Sequence, residues 1–78
     1  MAPTNAPAKY IVVFKDSATP QQIDEYVKEV SKNGGEVTYR YDILNGFAAA
    51  IPDHFLASLQ ASAIIHYIEP DSVVTTQT

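Results

Sequence analysis

The sequence predicts an α+β fold of the ferredoxin-like class, in which a four-stranded antiparallel sheet carries two helices on one face. Two observations lead to this prediction. Strand-like and helix-like segments alternate in the order β-α-β-β-α-β, and a turn joins the middle two strands as a hairpin. Two split βαβ units with right-handed crossovers then form one sheet. The 78 residues, of which 46% are hydrophobic and 18% charged, fit a single globular domain.

The first predicted strand and helix lie in the first half of the chain. Residues 9–15 are rich in β-branched and aromatic side chains, which favour a strand. Thr19 is a good N-cap, Pro20 suits the first helical position, and Gln22 completes a capping box. We therefore expect a helix from Pro20, ended by the Asn-Gly-Gly sequence at 33–35 because glycine tolerates the left-handed conformation.

Three further strands and a second helix complete the prediction. Residues 36–42 and 46–51 form the hairpin, Pro52-Asp53 opens the second helix, and residues 63–69 form the last strand, stopped by Pro70. Strict alternation within residues 36–42 predicts two faces, with Val37, Tyr39 and Tyr41 on one and Glu36, Thr38 and Arg40 on the other.

The sequence does not indicate an enzyme or a cofactor. The chain has no cysteine, which excludes thiolate metal sites, and no nucleophile-elbow or HExxH pattern surrounds its two histidines. We expect His54 to face solvent or cap the second helix, and His66 to be an ordinary sheet residue. An acylphosphatase would share this fold, but it needs an arginine in the loop after the first strand, which here reads DSATP.

An RNA-binding module is a weaker alternative. The segment 45–51 superficially resembles an RNA-recognition motif, but Asn45 stands where a basic residue is needed, and Ala49 and Ile51 stand where aromatic side chains or their support would lie. The net charge of −4, with five basic residues, also disfavours phosphate binding. We therefore expect no nucleic-acid partner.

The sequence also predicts where in the cell the protein lies and how the chain divides into segments. The start MAPTNAPA lacks a basic segment followed by an apolar run, and no stretch is apolar enough to span a membrane. We therefore expect a cytoplasmic protein with no membrane partner. Residues 1–8 are predicted to form a loose N-terminal arm, residues 9–72 the folded domain, and residues 73–78 a separate tail.

Three segments carry a family resemblance. They are KYIVVFK at 9–15, NGFAAAIPDHFLASLQ at 45–60 and IHYIEPDSVV at 65–74. In order and spacing they resemble the subtilisin-propeptide family, in particular its free-standing fungal inhibitors of subtilisin-like serine proteases, which have no attached protease. The resemblance runs from about Lys9 to Gln77. It implies a monomeric, non-covalent serine protease inhibitor with no cofactor and no catalytic residue of its own.

The resemblance also implies a binding site. The bare sheet face would pack on two parallel surface helices of the protease, and Glu69 and Asp71 would each cap one of them. Helix N-termini attract carboxylates, although spacing alone favours an ordinary polar turn after a strand. The tail would lie in the cleft like a product, with Gln77 in S1, Thr76 in S2 and Val74 in S4. The cleft-binding residues implied are Val73, Val74, Thr75, Thr76 and Gln77.

The chain departs from the family pattern at three positions. Gln77 stands where an aromatic or large side chain is common, and Thr78 extends one residue further, across the scissile position, so slow trimming is possible. Pro70 replaces a frequent acid and should rigidify the turn between Glu69 and Asp71. An alternative function on the same surface is an intermolecular folding chaperone for a subtilisin-like protease, as propeptides are for their own enzymes.

Overall fold

The computed structural model describes residues 7–41 and 45–71. Four strands form one antiparallel sheet in the order β2-β3-β1-β4, as the ferredoxin-like prediction requires. Within the described ranges, neither helix has the length and apolar character needed to cross a membrane. The elements are β1 (Ala8–Phe14), α1 (Pro20–Lys32), β2 (Glu36–Tyr41), β3 (Gly46–Ile51), α2 (Asp53–Gln60) and β4 (Ile65–Pro70).

The predicted capping box begins α1. The Gln22 N–H donates to the Thr19 hydroxyl at 3.1 Å, and the Thr19 N–H donates to the Gln22 side-chain oxygen at 2.9 Å. These bonds satisfy two backbone donors that would otherwise lack partners at the helix start. At the other end, Gly34 has a φ of +92°, and the Gly35 N–H donates to the Val30 carbonyl at 2.8 Å. Both predicted ends of α1 are confirmed.

One face of the sheet packs against both helices and forms the core. Phe14 lies at its centre, with its ring 5.4 Å from that of Tyr26 in α1 and 5.8 Å from that of Phe47 in β3. The Tyr26 and Ser62 hydroxyls, 2.7 Å apart, link α1 to the segment before β4. The buried core consists of Val12, Phe14, Ala18, Ile23, Val30, Phe47, Ala49, Ile51, Phe55, Leu59 and Ile65.

The predicted faces of β2 are partly wrong. The register between β2 and β3 shifts between Val37 and Tyr39, so Val37 pairs with Ala49 while Tyr39 pairs with Ala48. A bulge of this kind inserts one residue and moves the following side chains to the other face. Val37 therefore packs against the core, whereas Tyr39 lies on the far side of the sheet.

The predicted end of β4 is also wrong by one residue, because Pro70 lies within the strand and pairs with Tyr10 of β1. Proline lacks an N–H donor, but β4 is an edge strand, where a nitrogen that faces away from the sheet loses no ladder hydrogen bond. The ladder continues past Pro70, since the Asp71 N–H donates to the Lys9 carbonyl at 2.9 Å.

Candidate functional site

The sheet face opposite the helices, called the open face below, is arranged in three rows across the four strands. Residues directly opposed in antiparallel strands project to the same side, so the registers define each row in the order β2, β3, β1, β4. The rows are Glu36, Ala50, Lys9 and Asp71; Tyr39, Ala48, Ile11 and Glu69; and Tyr41, Gly46, Val13 and Tyr67.

Small residues occupy the β3 column of the open face. Ala48 is 4% exposed and Gly46 is buried although no other element of the described chain covers this side, because the larger neighbouring side chains stand above them. A Cβ atom at position 46 would lie 2.3 Å from the Val12 carbonyl oxygen, so the close approach of β1 requires glycine there. The column forms a shallow trough along the sheet.

Tyrosines lie at both edges of the open face, and those of β2 border the trough. Tyr39 and Tyr41 of β2 pack edge to face with ring centroids 4.9 Å apart, and Tyr67 lies on β4. Tyr39 is 59% exposed and Tyr67 is 44% exposed, and they are the large hydrophobic side chains most open to solvent among the described residues. Rigid aromatic side chains of this kind supply large contact areas in protein interfaces.

The two predicted capping acids lie together at one end of the open face. Glu69 pairs with Ile11, and Asp71 follows two positions later on the same side, held by its bond to Lys9. Glu69 is exposed and Asp71 is half-buried. Both carboxylates are therefore available to a partner that approaches the open face. The predicted cleft residues Val73, Val74, Thr75, Thr76 and Gln77 lie outside the described residues.

The open face differs from an RNA-recognition motif in where its aromatic side chains lie. Base stacking in this fold uses aromatic side chains on the central strands. Here the central strands present Ala48, Ile11 and Val13, while Ala49 and Ile51 are fully buried on the core side. The sequence comparison aligns those two residues with positions for stacking or its support, whereas the structure places Ala48 and Ala50 of the same strand on the open face.

The histidines lie where the sequence predicted. His54 is exposed on α2, and His66 is exposed in β4, with its ring 5.1 Å from that of Tyr67. Within residues 7–41 and 45–71, no group of three or more potential metal ligands is close enough to hold an ion. The arrangement thus offers surface contacts and carboxylates rather than a catalytic cluster.

Fold and surface together define a small ferredoxin-like sandwich whose tyrosine-bordered open face is suited to contact with another protein. The family model for peptidase inhibitor I9 matches residues 9–77. Two serine proteinase inhibitors of Pleurotus ostreatus, IA-1 and IA-2, are each 36% identical over 73 residues, covering 88% of this chain and 96% of the inhibitor. An uncharacterized protein of Neurospora crassa is 31% identical over 67 residues, covering 85% of this chain and 71% of that protein.

The chain therefore belongs to the peptidase inhibitor I9 family. The resemblance inferred from the three sequence segments is confirmed. Because the family and its Pleurotus ostreatus members are described as inhibitors, the prediction that this protein is not an enzyme is also confirmed.

Proposed function

We propose that the protein inhibits subtilisin-like serine proteases by docking its open face beside the active site and placing its tail in the substrate cleft. Family membership over residues 9–77 supports the inhibitory activity. The observation that carries the proposed mechanism is the position of Glu69 and Asp71 on the open face, directly before the tail.

The dimensions of the open face suit a pair of helices. Four strands about 4.8 Å apart give a face about 14 Å wide, and packed helices lie about 8–10 Å from one another. The trough over Ala48 and Gly46 receives side chains of one helix, and the bordering tyrosines contact its flanks. An interface of standard size, about 1,600 Å² in total, would result.

The two carboxylates fix the position of the partner helices. Helix N-termini have unpaired N–H groups and a partial positive charge, which carboxylates satisfy. Glu69 and Asp71 lie two positions apart in extended chain, about 6.6 Å, so each can reach a different helix start. Pro70 between them restricts the backbone and so limits the directions in which the two side chains point.

The last described residue before the tail has a defined position. The Asp71 N–H is still bonded to Lys9 of β1, so Asp71 continues the line of β4. In the proposed complex, residues Val73 to Gln77 add as a strand to the edge of the cleft. Main-chain hydrogen bonds then supply affinity, and pockets for alternate side chains supply selectivity. Inhibition needs no covalent step.

A titration of subtilisin activity tests this mechanism, using the full chain and a variant that lacks residues 73–78. The variant keeps every described helix and strand, and circular dichroism checks its fold. We expect the full chain to inhibit at or below micromolar concentration and the shortened chain to inhibit at least tenfold less, about 1.4 kcal/mol. Equal inhibition by the two forms would contradict the tail mechanism, and no inhibition by the full chain would contradict the function.

The same reaction mixture tests the fate of Thr78. In the proposed complex this residue extends past the S1 position, where the protease cuts its substrates. Mass spectrometry of the inhibitor after long incubation should show loss of Thr78 alone, with the remainder intact.

The predicted monomeric state and cytoplasmic location stay predictions.

A further inference from the structure

The charged row of the open face contains one basic side chain among acidic ones. Lys9 lies opposite Ala50 on one side, and on the other its carbonyl oxygen accepts the hydrogen bond from Asp71. Directly opposed residues have Cβ atoms about 4.5–5.5 Å apart, and diagonal neighbours lie about 7–8 Å apart. The Lys9 ammonium, on its four-carbon stem, therefore lies near the carboxylates of Asp71 and Glu69, although among the described residues it forms an ion pair with neither.

The other basic residues of the described chain lie away from Glu69 and Asp71. Arg40 pairs with Asp24 on the helix side of the sheet, Lys28 and Lys32 belong to α1, and Lys15 follows β1 at the opposite end of that strand from Lys9. Among the twelve residues of the open face, Lys9 is thus the one base, beside three acids. The positive charge of Lys9 therefore changes the electrostatic potential at Glu69 and Asp71. A charge on α1, on the other side of the sheet, changes that potential much less.

We infer that Lys9 is a specificity-determining residue, which weakens the attraction of Glu69 and Asp71 for the positively charged helix ends of a protease. This rests on the proposed function, because it takes helix N-termini as the partners of the two acids. The ammonium lowers the negative potential that the two acids present to those positive ends. If a protease has an acidic side chain beside those helix ends, that side chain can form an ion pair with Lys9. A protease without such an acid is bound less tightly.

The test compares three single variants with the wild-type chain against subtilisin, at about 20 mM and about 500 mM salt. Lys9→Gln removes the charge from the open face, Lys9→Arg keeps it, and Lys28→Gln removes the same charge from the exposed side of α1. We expect Lys9→Gln to bind about two- to fivefold tighter at low salt, mainly through faster association. The gain should shrink at high salt, and the other two variants should match the wild-type chain.

A second arm repeats Lys9→Gln in a chain that already carries Glu69→Gln and Asp71→Asn. Here we expect no gain, because the charges that Lys9 opposes are gone. The inference is overturned if Lys9→Gln binds no tighter than the wild-type chain, if Lys28→Gln gives the same gain, or if the gain survives without the acids. If the wild-type chain does not inhibit subtilisin, the proposed function is overturned together with this inference. If the wild-type chain inhibits but the Lys9 variants behave otherwise than expected, only this inference fails.

Discussion

The backbone N–H of Asp71 lies 2.9 Å from the carbonyl oxygen of Lys9 and donates a hydrogen bond to it. This bond continues the pairing of β4 with β1 beyond Pro70, the last residue of the strand. It fixes Asp71 on the same side of the sheet as Glu69. The acidic pair is thus positioned by the sheet itself.

Replacing both acids should weaken inhibition without unfolding the domain. We expect Glu69→Ala with Asp71→Ala to weaken the binding free energy by roughly 1 to 4 kcal/mol, because two helix caps are lost. The inhibition constant then rises about fivefold to several hundredfold. The measurement is an inhibition titration of subtilisin, with thermal unfolding as the check on stability.

A chain with Asp16→Ala and Glu25→Ala is the matched control for the acidic pair. Both residues are exposed and lie outside the open face, so the same total charge is removed elsewhere. This control should inhibit like the wild-type chain. Equal weakening of both double variants would mean that net charge, and not the location of the acids, governs binding.

Replacing Gly46 should destabilise the centre of the sheet. A Cβ atom there would lie 2.3 Å from the Val12 carbonyl oxygen, and this backbone atom can move only by separating β3 from β1. We expect Gly46→Ala to lower the free energy of unfolding by about 1–3 kcal/mol, measured by urea denaturation.

Ala50→Ser provides the comparison for Gly46 because it lies in the same column and is partly exposed. Its added hydroxyl can point to solvent, so we expect a change within about 0.5 kcal/mol. If Gly46→Ala is equally mild, the strands separate more easily than the packing implies.

Removing the N-cap of α1 should lower the free energy of unfolding by less than replacing Gly46 does. Thr19→Ala leaves the Gln22 N–H without its side-chain acceptor, which we expect to lower the free energy of unfolding by about 1 kcal/mol. Thr19→Ser keeps the hydroxyl and should retain most of the stability. Thr19 begins α1, which packs on the side of the sheet opposite to the open face. We therefore expect Thr19→Ala to lower the melting temperature and to leave inhibition unchanged. Weaker inhibition by a fully folded Thr19→Ala chain would contradict this expectation.

Refolding of denatured subtilisin distinguishes inhibition from the alternative chaperone function. We expect the protein to inhibit mature enzyme without raising the yield of refolded enzyme, because its tail requires a formed cleft. The chain that lacks residues 73–78 serves as the comparison, since it keeps the open face. A higher yield with both forms would show that the open face also assists folding.

Local signals predicted much of this fold from the sequence. The capping box at Thr19 and the glycine at position 34 depend on neighbours in the chain, and they fixed both ends of α1. The β-branched and aromatic side chains at 9–15 likewise indicated β1, because such residues favour strands.

The bulge in β2 and the inclusion of Pro70 in β4 could not be predicted in this way. The bulge arises from how Val37 and Tyr39 pair with β3, and pairing between strands is a tertiary property that strict alternation cannot show. Pro70 is tolerated because β4 forms the edge of the sheet, which depends on the strand order. The same registers brought Lys9 beside Asp71, a neighbour that sequence spacing did not indicate.

The pairing of Lys9 with Asp71 also has a practical consequence for anyone who immobilises or labels this protein. A group attached at Lys9 itself would lie one strand spacing, about 4.8 Å, from Asp71, which precedes the segment proposed to enter the protease. A dye or surface linker placed there would compete for space with the enzyme. Attachment at Ser31, exposed near the end of α1 on the helix layer, keeps the whole docking side clear.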